Sequence, residues 1–290
     1  MAFESELTGD ITPIDVGGMP VILVADGDRV RVFDAICPHQ GANLGYGGRL
    51  DARGIICPFH GKRVTFGTQL GTEYCIREYP TLGYGGMVFV LLSEQHENGL
   101  TDLLEELVID HVFVPFNCTP LAAAGELVIE NAFDASHFRP VHRVRNSPRF
   151  SVQHTGEGSL VAEGQLHVPV SPWHRGEPDV ILEIPFRACA LSPQLVFSQI
   201  GGGNPYWVIT GVTPTADGCL VRQSLVIPRS EGALPDTDRI AYLARASKEG
   251  LEQDRIIWEH LRPPACPRYG PDDAALLAFR EFCLALELSD

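Results

Sequence analysis

Two short fragments, Cys37-Pro38-His39 and Cys57-Pro58-Phe59-His60-Gly61, constrain this chain more than anything else in it. Two thiolates and two imidazoles arrive as matching pairs on two loops, with only residues 40–56 between them. Such a set can close around one tetrahedral Zn2+, and a cysteine on its own is often just a small buried hydrophobe. The same four donors can instead hold a [2Fe-2S] cluster, with two Cys on one iron and two His on the other. Exchanging thiolate for neutral imidazole raises the reduction potential well above that of a four-Cys cluster. The prolines after both cysteines stiffen the loops, and Gly41 and Gly61 just past the histidines let backbone come close to the sulfurs, which favours the cluster. A site of that kind is an electron relay.

A chain of 290 residues has room for a second domain with its own core, and 44% apolar residues is ordinary for a globular protein. The net charge of -15, with Lys only at 62 and 248, excludes a phosphate-tracking surface, so no nucleic-acid partner is expected. The N-terminus lacks a positive start followed by an apolar run, and no apolar stretch reaches the length of a membrane span. A cytoplasmic protein without a membrane partner is therefore expected. Cys75, Cys118, Cys189, Cys219, Cys266 and Cys283 are scattered, as suits free thiols.

Up to Leu92 the chain consists of short β-type runs with turns between them, such as Pro20–Val24, Asp26-Gly27 and Val30–Phe33. Residues 93–99 are polar and resemble a linker, which predicts domains at 1–98 and 99–290. Beyond the linker the pattern predicts a strand at 109–116, a helix at 126–138, a series of strands over 160–228, and helices near 238–262 and 272–288. Leu276, Phe279, Cys283 and Leu286 share one face of the last helix. The fold class is α+β: an all-β first domain, then an antiparallel sheet with helices.

A second donor set lies on the predicted helix Glu130–His142. Asn131, Asp134 and His137 are spaced by three, while His142 follows His137 by five, a spacing that needs the disturbance Pro140 can supply. Two His and one carboxylate on one face of an octahedral ion leave positions open for oxygen and substrate, as in non-haem Fe(II) oxygenases. Two neighbouring histidines are equally at home on a surface. The electron relay in the same chain favours the metal centre, because it needs chemistry that consumes electrons singly.

Taken together, CPHxG, CPFHG and Asn-x2-Asp-x2-His-x4-His resemble the catalytic α subunit of Rieske non-haem iron oxygenases, over nearly the whole chain in order and spacing. The resemblance implies an N-terminal Rieske [2Fe-2S] domain and a START-like helix-grip catalytic domain. It implies a cluster on Cys37, His39, Cys57 and His60, and a mononuclear Fe(II) on His137, His142 and a late carboxylate. The Gln-Asp-x3-Trp pattern at Gln253-Asp254 assigns that carboxylate to Asp254. Asp134 then links His137 to His60 of a neighbouring subunit, Asn131 is a polar residue beside the iron, and the assembly is a homotrimer.

The family resemblance further implies O2 as cosubstrate, an NAD(P)H-dependent reductase as partner and in some systems a ferredoxin. It implies hydroxylation, desaturation or demethylation of a hydrophobic small molecule such as a steroid, polycyclic or natural-product intermediate, in the manner of the ketosteroid hydroxylase and sterol desaturase branch. The competing readings are an aromatic-ring cis-dihydroxylating dioxygenase, and an electron-transfer or ligand-binding protein without oxygenase activity. Phe186, Phe197, Trp207 and Trp173 are candidate pocket residues, although strand aromatics are commonly plain core. His111, His154, His167, His174 and His260 are left outside the site. Lys62-Arg63 departs from the family, where an aromatic is common after Gly61, and offers a basic spot near the cluster.

Overall fold

The computed structural model describes residues 1–67, 74–92, 98–156, 158–170, 180–229 and 232–287. Trp173, His174 and most of the polar stretch 93–99 lie outside the described residues. The chain divides into two compact units, Met1–Glu94 with Thr213–Ala216, and Gln95–Val212 with Asp217–Asp290.

Among its described residues the first unit is all β apart from a short 3-10 turn. One sheet has the order β2-β3-β4-β9, formed by β2 (Ile11–Val16), β3 (Met19–Asp26), β4 (Arg29–Asp34) and β9 (Glu78–Tyr79). A second has the order β5-β6-β7-β8, from β5 (Arg49–Asp51), β6 (Gly54–Ile56), β7 (Arg63–Phe66) and β8 (Cys75–Ile76). The third is β1 (Ala2–Phe3), β11 (Met87–Val90) and β10 (Thr81–Tyr84). Gly27 at φ 59 closes the β3–β4 hairpin, the positive φ that a tight turn asks of glycine. Ile22, Phe33, Leu44, Ile55 and Val64 are fully buried between the sheets, and Cys37 and Cys57 belong to the same core.

The second unit is built on a seven-stranded sheet in the order β12-β18-β17-β16-β15-β14-β13. Its strands are β12 (His111–Leu121), β13 (Ser151–His154), β14 (Leu160–Val170), β15 (Val180–Ser192), β16 (Leu195–Ile200), β17 (Tyr206–Thr215) and β18 (Gly218–Pro228). Alternation puts Leu160, Ala162, Leu166, Phe186, Ala188, Ala190, Val196, Val212 and Val221 on one face, where they form the main core. Helices α4 (Thr237–Trp258) and α5 (Ala274–Glu287) contribute Leu251, Trp258, Phe279 and Phe282 to that core. Cys283 and Leu286 pack at its edge. Asp236 caps α4, its carboxylate accepting the Asp238 N–H at 3.2 Å.

Three expectations are corrected. The stretch after residue 98 holds a helix, α1 (Leu100–Asp110), where no element was expected; Leu104 and Leu107 are buried on it, and Leu100, Leu103, Leu104 and Leu107 have helical spacing. The strand expected at 109–116 therefore starts at His111 and runs to Leu121. The helix expected at 126–138 is three pieces: α2 (Gly125–Glu130), a 3-10 turn (Asn131–Phe133) and α3 (Phe138–His142). The break is at Asp134, extended at φ -83 and ψ 96, whose carboxylate accepts the Ser136 N–H at 2.9 Å. Pro140 is no kink: it occupies the first turn of α3, where an amide N–H has no helical partner anyway.

Candidate active site

The two cluster loops are built alike. Cys37 N–H donates to Ala42 O at 2.8 Å and Gly41 N–H to Cys37 O at 3.0 Å; Cys57 N–H donates to Lys62 O at 2.8 Å and Gly61 N–H to Cys57 O at 3.0 Å. Each loop is a tight knuckle closed by a glycine at positive φ, 76 for Gly41 and 66 for Gly61. A Cβ at either would meet nothing within 4 Å, so the dihedral requires glycine here, not a close approach of backbone to sulfur.

The knuckles bring both cysteines and both histidines together. The Cys37 and Cys57 thiols are hydrogen-bonded to each other, and the His39 and Gln40 amides are directed at the Cys37 sulfur. Burial pushes the Cys37 thiol up despite those amides. The His39 and His60 rings meet edge to face at 4.8 Å, and Tyr74 lies 5.7 Å beyond His39. His39 is held below the usual histidine range, first by desolvation and then by Lys62 and His60. Its Nδ1 is buried with no hydrogen-bond partner, an orphan that a metal ion would satisfy. Two buried thiols and two imidazoles, one with an unmatched nitrogen, fit a two-iron cluster. His60 and Phe59 are exposed and form its outer edge. Of the basic pair, Lys62 lies over Tyr74 at 4.7 Å and Arg63 pairs with Asp51 at 2.7 Å.

In the second unit, His137 at the start of α3, His142 at its end and Asp254 on α4 place one ligand atom each within 4.8 Å of one another. The His137 and His142 rings are 5.0 Å apart and nearly perpendicular. His137 Nδ1–H donates to the backbone carbonyl of Asp134 at 2.6 Å. The Asp134 carboxylate is farther, 3.9 Å, so the break in the helix, more than the acidic side chain expected for this task, fixes the ring. With Nδ1 protonated, Nε2 carries the lone pair, and it accepts from Asn131 Nδ2 at 3.1 Å.

Sequence reasoning did not assign Gln253 a part in the site. Its Oε1 accepts from His142 Nδ1 at 2.9 Å, which turns His142 Nε2 toward Asp254 Oδ2 at 3.4 Å. Its place in the Gln-Asp-x3-Trp pattern was the available signal. Burial holds His137 below its ordinary pKa. Burial also works to lower His142, but the Asp254 carboxylate outweighs it and the net direction is up. Asp254 is 6% exposed, an acidic group buried against imidazoles and not the solvent-facing carboxylate of an ordinary helix. Two imidazoles and a buried carboxylate suit a divalent iron.

An aromatic cluster adjoins this trio. Phe138 packs on His137, His142, Phe150 and Phe186, and Phe150 stacks on Phe186 at 5.6 Å. Gly164 makes that stack possible, since a Cβ there would lie 2.6 Å from the Phe150 ring. Glu130 and Arg280 form a two-pronged ion pair that ties the end of α2 to α5, and Arg280 also reaches Tyr269. Phe197 and Trp207 alternate with the core residues and face the opposite side of the sheet, so they are not pocket residues. His154, His167 and His260 also lie outside the trio, and His111 pairs with Asp110.

Comparison with known proteins bears on both sites. Residues 1–75 match the Rieske [2Fe-2S] domain and residues 104–282 the 3-Ketosteroid 9alpha-hydroxylase C-terminal domain. Cholesterol 7-desaturase of Xenopus laevis is 38% identical over 88% of this chain, and that of Bombyx mori 24% identical over 94%. The chain spans 63% and 65% of those relatives' lengths, just under two thirds. The ferredoxin component of an alkene monooxygenase system from Xanthobacter autotrophicus is 29% identical over 28% of the chain and 70% of its own. Among solved structures, dicamba monooxygenase bound to dicamba superposes with a TM-score of 0.74 at 15% identity, covering 99% of this chain and 96% of its own. NdmA of Pseudomonas putida CBB5 with caffeine gives 0.71 at 15%, covering 99% and 89%. No helix among the described residues is long and apolar enough to cross a membrane. With a Rieske domain in front and a matched catalytic domain over most of the rest, the chain belongs to the Rieske non-haem iron oxygenases, whose members carry a [2Fe-2S] cluster and a mononuclear iron and use O2.

Proposed function

We propose that this chain is the terminal oxygenase of a multicomponent system, organised as a cluster domain at 1–98 and a catalytic domain at 99–290. In this reading it hydroxylates, desaturates or demethylates a hydrophobic small molecule of the steroid or polycyclic kind. The observation that carries it is the convergence of His137, His142 and Asp254 within 4.8 Å in a chain that also brings Cys37, His39, Cys57 and His60 together. The bound groups supply O2 activation at the iron and single electrons from the cluster.

The protein's own residues then have separate tasks. The Asp134 carbonyl and the Gln253 amide hold the Nδ1 protons of His137 and His142, so both rings present Nε2. Asp254 supplies the one carboxylate. Asn131, whose amide reaches the His137 Nε2 that the iron would take, is placed to turn to a polar group beside the metal. Phe138, Phe150 and Phe186 exclude water and bind an apolar substrate. The Asp134 carboxylate, not needed to hold its own histidine, is free to meet His60 of a neighbouring subunit, which requires a closed ring such as a homotrimer. Electrons enter from an NAD(P)H-dependent reductase, directly or through a ferredoxin, at the exposed His60 edge.

Iron analysis tests the reading. An oxygenase holds about three irons per chain and consumes O2 with a steroid or polycyclic substrate when a reductase and NADH are supplied. Two irons per chain with no oxygen uptake would leave an electron carrier instead.

A further inference from the structure

The apolar face of the large sheet is interrupted by a band of polar residues. Along β18 the inward positions are Cys219, Val221, Gln223, Leu225 and Ile227; along β17 they are Val208, Thr210 and Val212. Val212, Cys219 and Val221 belong to the core around the iron-site helices, whereas Val208, Leu225 and Ile227 belong to a separate cluster with Leu243 of α4. Between the two lie Asn117 of β12, Gln223 and Thr210, which are 5%, 6% and 8% exposed. Apolar residues at these three positions would join the clusters into one core, so the band weakens packing without forming a structural ion pair.

The hydrogen bonds within the band run in one direction. Thr119 Oγ1 donates to Asn117 Oδ1 at 2.8 Å, Asn117 Nδ2 to Gln223 Oε1 at 3.1 Å, and Gln223 Nε2 toward Thr210 Oγ1 at 3.5 Å. Every acceptor oxygen of the two amides is used. The second N–H of Asn117, the second N–H of Gln223 and the Thr210 hydroxyl proton have no acceptor among the described residues. A buried surplus of donors calls for an acceptor oxygen from elsewhere.

Helix α4 reaches both clusters, Leu243 packing in one and Leu251 in the other, so its middle lies opposite the band. Its buried stripe is Leu243, Leu251, Asp254 and Trp258, and at the middle of that stripe Ser247 is only half-buried. At Gly250 an added Cβ would meet nothing within 4 Å. Ser247 and Gly250 precede Asp254 by seven and four residues, roughly 10 and 6 Å of helix rise. The middle of α4 thus carries two small residues on the stripe that leads to the candidate iron ligand.

We propose that Asn117, Gln223 and Thr210 form a subsite that hydrogen-bonds a carbonyl or hydroxyl oxygen of the substrate and so fixes which carbon reaches the iron. This rests on the oxygenase reading and narrows its substrate class to apolar multi-ring molecules carrying an oxygen acceptor one or two helical turns from the reacting carbon. The three residues are specificity-determining and take no part in the chemistry.

Binding of testosterone and of androstane, its oxygen-free parent hydrocarbon, to the iron-loaded protein without reductase tests it by tryptophan fluorescence titration. The expected result is testosterone binding at least about tenfold more tightly than androstane in the wild type. That ratio should fall to about twofold in Gln223→Leu and in the near-isosteric Thr210→Val, with androstane affinity changed less than about threefold. Equal affinities in the wild type, no testosterone binding by the wild type, or an unchanged ratio in a folded Thr210→Val protein would each overturn the subsite. Failure of the oxygenase reading shows elsewhere, in the iron count and substrate-dependent oxygen uptake of the wild-type protein.

Discussion

The cluster loops and the iron trio solve the same problem, gathering metal ligands, by opposite means. Each cluster loop is a self-contained knuckle of six residues, Cys37–Ala42 or Cys57–Lys62, whose own backbone hydrogen bonds and one left-handed glycine set the ligand direction. The iron trio has no local frame of this kind. His137 and His142 flank a five-residue helix, and Asp254 arrives on α4 from 112 positions further along the chain than His142. Local turns give a site that survives changes elsewhere in the fold; packed helices give one that holds only while α3 and α4 stay docked. An oxygenase uses both, a fixed relay and a centre that must admit substrate.

The largest test of this contrast is Asp254→Asn. Iron content should fall from about three to about two per chain, with turnover lost and the cluster's visible and EPR spectra unchanged. Loss of the cluster signal in the same variant would show that the two sites are not independent. Asp134→Ala comes next. Because the Asp134 carbonyl and not its carboxylate holds His137, the variant should keep all its iron while the cluster, still reducible, no longer feeds turnover. Wild-type turnover would end the role given to the carboxylate, and loss of iron would show that the side chain supports the ring after all.

Gln253→Leu should have a smaller effect. It removes the acceptor from His142 Nδ1 and leaves all three ligands in place, so iron affinity should drop about 10–100-fold with the cluster untouched. Competition with a chelator measures this directly. Rescue by Gln253→Glu, which restores an acceptor oxygen, separates orientation of the imidazole from general damage to α4.

The same contrast explains what could be read in advance. The cluster set was legible because donors, proline and glycine all fall within two runs of a few residues. His137, His142 and Asp254 were legible as residue types but not as a geometry. Spacing by three suggested one helical face, yet Asp134 breaks the helix and hands its carbonyl to His137, which side-chain periodicity does not reveal. The Asp-Ala-Ser run was the available signal, since short polar side chains compete for backbone amides. Gln253 and the Asn117–Gln223–Thr210 band were hidden for another reason: each matters through a partner in a distant segment, and only strand register and helix docking bring the partners together. Helix α1 was legible in the helical spacing of Leu100, Leu103, Leu104 and Leu107, but it directly follows the polar stretch 93–99 and was passed over with it.

The smallest test compares two glycines. Gly61 has φ 66, so Gly61→Ala forces a side chain into the left-handed region at a cost of roughly 1–2 kcal/mol, although space is available. Gly250 lies inside α4 with ordinary helical backbone and open space at its Cβ, so Gly250→Ala should stabilise the protein by about 0.4–1 kcal/mol through lower unfolded-state entropy. Thermal melts of the two variants should therefore move in opposite directions. If both destabilise, the space beside Gly250 is narrower than a methyl group and the docking of α4 is tighter than its small residues imply. If neither moves, the knuckle tolerates an alanine and its ligand direction is set by the prolines and the bound metal, not by the backbone.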